Sequence, residues 1–104
     1  MDYINNLLEC LDDELEGAKK YYKLAGEYKD SQPHAADILR EMANHEVTHY
    51  ENLLRAVRDM IDRGELTDTE QALCAYILEC KDKRYKSVLE CRSTVIKSQK
   101  EDTK

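Results

Sequence analysis

Leu39-Arg40-Glu41-Met42-Ala43-Asn44-His45-Glu46-Val47-Thr48-His49-Tyr50-Glu51-Asn52-Leu53 is the stretch on which the reading of this chain turns. Leu39, Met42, Ala43, Tyr50 and Leu53 recur at steps of three, four and seven, which is the spacing of one face of an α-helix. Glu46 falls at the centre of that stripe, and His49 lies one turn along, about 60° away at 100° per residue. A carboxylate and an imidazole therefore stand where a helix should bury something apolar, and both are expected to face the core.

Outward from this stretch the helical pattern runs from about residue 33 to 63. It takes in Ala35, Val57, Met60 and Ile61. Pro33 suits a first turn, where its missing N–H forfeits no hydrogen bond, and Gly64 suits the position just past the end. Upstream, Ile4, Leu8, Leu11, Leu15, Ala18, Tyr22 and Ala25 alternate steps of four and three, predicting a helix over about 2–29. A second seam of Leu7, Leu11, Ala18, Tyr21, Ala25 and Tyr28 makes its stripe wide enough to meet two neighbours. The link Lys29-Asp30-Ser31-Gln32 is short, so these two helices form an antiparallel hairpin.

Downstream, Thr67-Asp68-Thr69-Glu70 reads as a capping box opening a third helix over about 68–96. Its stripe is Leu73, Ile77, Cys80, Val88, Cys91 and Val95. The charged run Lys81-Asp82-Lys83-Arg84 interrupts it, which predicts a kink or a solvent-facing middle, and residues 97–104 read as a frayed tail. The 104 residues, 41% hydrophobic and 37% charged with one Pro and three Gly, describe a single all-α domain of long amphipathic helices.

The same composition excludes several classes. Asp2, Asn5, Asn6 and Glu9 break up the first turns, so no leader is expected, and no apolar run approaches membrane-spanning length. A soluble, cytoplasmic protein is expected. Cys10, Cys74, Cys80 and Cys91 contain no Cys-x-x-Cys pair, and each reads as a small buried thiol. The net charge of −6 argues against general nucleic-acid binding. Residues 81–100 nevertheless carry seven basic side chains against Asp82 and Glu90, making that segment +5 and the remainder −11. The basic residues are spread around the helix and Tyr85 is the one aromatic among them, a poor match to a nucleic-acid surface. An acidic partner, a dimer cover or a larger ring remain the roles open to the third helix.

On the first helix Glu14 falls between Leu11 and Ala18, in line with Leu7, Tyr21 and Ala25, and so points inward. Glu16 is flanked by Asp12, Asp13, Lys19 and Lys20, an ordinary solvated face. Three inward polar groups, Glu14, Glu46 and His49, with no inward Lys or Arg to neutralise them, require a proton, a partner or a cation. Carboxylate and imidazole donors suit iron, manganese or zinc. One chain supplies three ligands, too few for a closed site. A two-fold pair of chains supplies four carboxylates and two imidazoles, which two divalent ions would balance. The alternative is a metal-free helical interaction module in which the buried Glu and His are hydrogen-bonded for packing specificity, with Arg84 as the residue able to neutralise Glu14 or Glu46.

With those residues in place, the chain over about residues 7–60 resembles the ferritin-like superfamily, close to the rubrerythrin and encapsulated-ferritin type of two-helix half-bundle. Glu14 and Tyr21 match that family's Glu-x6-Tyr, and Glu46, His49 and Leu53 match its Glu-x-x-His-x-x-x-Leu. The resemblance implies a four-helix bundle completed by dimerisation, or a higher homo-oligomer. It implies Glu14 and His49 as terminal ligands, Glu46 as the carboxylate bridging two irons, and Tyr21 hydrogen-bonded to a ligand. The implied chemistry is of the ferroxidase type, oxidation of ferrous iron by dioxygen or peroxide. His45 stands where many relatives have Glu; an extra ligand, a proton carrier and an interface residue are its three readings. The tail from Ser93 to Lys100 carries no apolar cargo peptide, and no rubredoxin-like Cys-x-x-Cys module is present.

Overall fold

A computed structural model describes the backbone of residues 2–102 and the side chains of residues 4–93. Three helices follow one another, α1 Asp2–Tyr28, α2 Pro33–Asp62 and α3 Asp68–Asp102, with no strand among the described residues. The first two match the expected spans. The third is one unbroken helix through Lys81–Arg84 and continues past Ile96 to Asp102, so the kink and most of the frayed tail are not found. Residues 103–104, and the side chain of Val95 in the expected stripe, lie outside the described residues.

Local chemistry sets the boundaries. Pro33 occupies the first turn of α2, where no intrahelical N–H bond is forfeited. At the other end Gly64 takes φ +70°, a left-handed conformation that costs glycine nothing. There the Gly64 N–H donates to the Ile61 carbonyl at 3.0 Å and the Glu65 N–H to that of Met60 at 3.4 Å, the paired bonds of a Schellman stop. The capping box forms reciprocally. The Thr67 N–H donates to Glu70 Oε1 at 2.9 Å and the Glu70 N–H donates to Thr67 Oγ1 at 3.2 Å. Those bonds hold the Glu70 carboxyl below its ordinary range, the Thr67 backbone N–H first among them.

The stripe read on α1 is the core: Ile4, Leu8, Leu11, Leu15, Ala18, Tyr22 and Ala25 are all buried. Each fully buried Leu or Ile contributes about 2 kcal/mol of transfer free energy. On α2 the buried face is displaced from the expected one. It is Ala36, Ala43, Val47, Tyr50, Val57 and Met60, centred about 45° from Glu46 at 100° per residue. On α3 the expected Leu73 and Cys80 are exposed, and the buried line is Cys74, Lys81 and Val88 at intervals of seven, with Ile77, Leu78, Tyr85 and Leu89 packed beside it.

With short turns between them, α3 runs parallel to α1 and rests mainly on it. Two polar clusters tie it down. Lys81, only 7% exposed, places Nζ 2.8 Å from Asp12 Oδ1, and Arg84 Nη1 lies 2.5 Å from the same oxygen. Asp12 is thus an anchor for α3 and not ordinary surface charge, and Lys81 is an inward cation the sequence reading left out. Toward α2, the Tyr85 ring stacks on Tyr50 with centroids 4.9 Å apart, and its hydroxyl donates to Glu51 Oε2 at 2.5 Å. Burial and then that carboxylate push the Tyr85 hydroxyl up to about 12. No helix of the described residues is long and apolar enough to cross a membrane.

Candidate metal centre

The α1–α2 hairpin has two long faces, and α3 covers one. The other carries Leu7, Cys10, Glu14, Gly17, Tyr21, Leu24 and Tyr28 on α1, which repeat at steps of three and four. On α2 it carries Ile38, Met42, His45 and His49. This face is open: Tyr28 is 43%, Ile38 46% and Met42 40% exposed. A strip of large apolar side chains in water is the pattern of a surface made to be covered.

Glu14, Glu46 and His49 sit at the boundary between the covered and open faces, not in the centre of the core. Glu14 is 23% exposed and His49 57% exposed at their side chains, while Glu46 is half-buried. The α2 apolar arc spans about half the helix circumference, wide enough for two contacts. One chain fills the half around Val47 and leaves the half around Met42 free. The three residues are nonetheless brought together: one ligand atom from each lies within 4.8 Å of the others, the one such His/Cys/Asp/Glu grouping among the described residues.

Two electrostatic features mark the cluster. Glu14 Oε2 is buried without a hydrogen-bond partner; His49 Nδ1 lies 3.5 Å from it, too far for a good bond. With both acids ionised that buried oxygen has no donor, a costly state that either a proton on the Glu46 carboxyl or a cation would relieve. The Glu46 carboxyl is raised from the ordinary 4.5 to about 7, first by a hydrogen bond with the Glu14 carboxyl, then by burial and by the Glu14 charge, with His49 acting in the opposite direction. Two acids this close hold one proton between them more easily than two negative charges. Arg84 does not relieve them. Its guanidinium is engaged with Asp12 and reaches toward Glu16 at 3.8 Å.

This arrangement fits a divalent ion. The donor set is two carboxylates and an imidazole, and a buried acceptor among them is unpartnered. Glu14 and Glu46 come from different helices and His49 follows Glu46 by less than a turn, so hairpin packing alone assembles the group. Tyr21 is half-buried against the core, and no described hydrogen bond joins its hydroxyl to Glu14 or Glu46. Its neighbour Tyr22, fully buried, donates instead to Asn44 Oδ1. His45 is exposed on the open face. Sequence reasoning missed Asn52, which lines a shallow cavity with Glu14, His49 and Leu53. Its position three residues after His49 was the signal.

The cysteines are outside the centre. All four are free, and only Cys74 is buried; Cys10 and Cys80 are exposed and Cys91 is half-buried, against the expectation of four buried thiols. On α3 the basic residues pair within the chain: buried Lys81 and exposed Arg84 with Asp12 of α1, and exposed Lys86 with Asp82 of the same helix at 3.1 Å.

Comparison with known proteins identifies a family: the model described as Rubrerythrin matches residues 5–101. No curated protein and no solved structure matches the chain.

Proposed function

Starting from a chain that belongs to the rubrerythrin family, we propose that it pairs with a second copy through the open hairpin face and binds two divalent metal ions, iron foremost, between the two chains. The observation that carries this reading is the unpartnered, buried Glu14 Oε2 within a Glu14–Glu46–His49 group beside an uncovered apolar face. Three ligands leave a site incomplete. A two-fold axis beside it doubles the donors to four carboxylates and two imidazoles and covers Tyr28, Ile38 and Met42 in the same step. Manganese and zinc suit the same donors.

In that assembly Glu14, Glu46 and His49 would hold the ions, with Glu46 the carboxylate shared between them, and Tyr21 and His45 would stand around the donors. Glu46 must lose its proton to serve, and with a carboxyl held at about 7 it does so near neutrality. Iron held there would supply two electrons as two ferrous ions become ferric, matched to reduction of one hydrogen peroxide with two protons to two waters, or of one dioxygen with two protons to hydrogen peroxide. The chain's own part is to hold the donors, keep the Arg84 charge away on Asp12, and receive or release the Glu46 proton. Leu53 and the paired faces limit the access of bulk water.

The test is metal content of protein purified without chelator, followed by anaerobic ferrous titration and admission of air. About one iron per chain is expected, with an absorbance change on oxidation that vanishes in Glu46→Ala. Unchanged metal content in that variant would sink the proposal. The second reading, a metal-free interaction module, is favoured by the upward shift of the Glu46 carboxyl beside Glu14, since one proton held between the two acids would let the pair stay together without an ion. Its signature is wild-type protein that binds no ferrous or manganous ion and melts identically with and without chelator.

A further inference from the structure

Gly17 lies in the middle of α1, where glycine is a poor choice: each interior glycine destabilises a helix relative to alanine. No turn or left-handed backbone requires it, since the positive-φ glycine among the described residues is Gly64. What sits against it is the Glu46 side chain, crossing from α2. A Cβ built at position 17 would stand 3.2 Å from Glu46 Oε2, 3.4 Å from its Cδ and 3.6 Å from its Cγ. The first distance is closer than a methyl group and a carboxylate oxygen ordinarily approach.

We infer that Gly17 is a positioning residue for the metal centre, an open notch on α1 that lets the Glu46 carboxylate lie between the helices at the distance from Glu14 and His49 that an ion needs. The inference rests on the metal-binding reading above. The argument is one of differential freedom. Without metal, the Glu46 side chain is flexible and can swing a few tenths of an ångström from an added methyl. With its oxygens bound to an ion shared with Glu14 and His49, it cannot swing without lengthening a metal–oxygen bond. A methyl at position 17 therefore acts on the loaded state and spares the empty one.

The experiment is Gly17→Ala on the full chain, with three readouts: thermal melting of chelator-treated protein, oligomeric state, and titration with cobaltous ion followed by its visible absorption. Expected are a melting temperature equal to or above wild type, because alanine is the better helix former, an unchanged oligomeric state, and cobalt affinity weakened by about 10- to 100-fold with an altered spectrum. Gly17→Ser should weaken binding at least as much. Cobalt affinity and spectrum equal to wild type in Gly17→Ala would overturn the inference and leave the metal-binding reading standing. So would cobalt loss that merely follows a lowered melting temperature or a dissociated assembly, which would make Gly17 a packing residue. Wild-type protein that takes up no cobalt would remove the metal-binding reading itself, and this inference with it.

Discussion

The two faces of the α1–α2 hairpin treat polar groups in opposite ways. On the face under α3 the prominent polar groups have partners within the chain: Lys81 and Arg84 on Asp12, Tyr85 on Glu51, Tyr22 on Asn44. On the open face Glu14 Oε2 is buried with none, and Glu46 is driven toward neutrality by its neighbour. Interiors normally satisfy their polar atoms. The difference separates a face whose polar groups are paired within the chain from one where a buried carboxylate oxygen is not, and the proposed pairing of two chains rests on it.

The largest effect should come from breaking the open face while leaving the finished one alone. Ile38→Lys together with Met42→Lys places two charges in the exposed strip. Light scattering should then report a monomer and ferrous binding should be lost, while circular dichroism of the helices stays at the wild-type level, because exposed positions contribute little to monomer stability. Retention of dimer and metal would mean that the site lies on a different interface.

That comparison also shows how far the sequence could be read. The α1 stripe was legible in full, because Ile4 through Ala25 follows one unbroken series of steps and the covered half of α1 is its most apolar part. Helix ends were legible wherever the signal is local, as with Pro33, Gly64 and the Thr67–Glu70 box. The buried half of α2 was not. Apolar residues from Ile38 round to Val47 occupy so wide an arc that spacing alone cannot say which half meets α1 and which half meets solvent. Glu46 and His49 do lie beside Glu14, but less deep than the spacing placed them, for that reason. On α3 the pattern was misread because a lysine occupies a core position. Lys81 looks like an interruption until Asp12, 69 residues earlier, is seen beside it.

The next effect in size acts on the finished face. Asp12→Ala leaves the Lys81 ammonium buried without its counter-charge. Breaking a buried pair costs about 3–5 kcal/mol, and the half-exposed side chain of Asp12 brings the expectation down to about 2 kcal/mol. Chemical denaturation measures it, and an unchanged midpoint would mean that Lys81 finds water. Metal binding should survive this change.

The smallest effect is a pH slope at the open face. Because the folded-state Glu46 carboxyl is raised from 4.5 to about 7, folding of the metal-free protein is favoured by its protonation. That contribution is fully present below about 4.5, is lost as pH rises through about 7, and then levels off. Melting temperatures of chelator-treated protein should fall across that window for this group. Glu46→Gln should flatten the slope, and a slope retained in that variant would assign it to other groups. Metal affinity should run the other way, rising with pH as the carboxyl ionises.

Lys81 has a last consequence, for alignment. The line Cys74, Lys81, Val88 on α3 and the line Ile4, Leu11, Ala18 on α1 both repeat every seven residues, and two parallel helices with the same repeat could slide past each other by one repeat and still match apolar to apolar. The charge removes that freedom. Seven residues either side of Asp12 stand Asn5 and Lys19, so a slide in one direction leaves the ammonium facing a neutral amide and a slide in the other sets it against a like charge. A single lysine in the seam thus works as a key cut for one position, fixing where along α1 the third helix may rest.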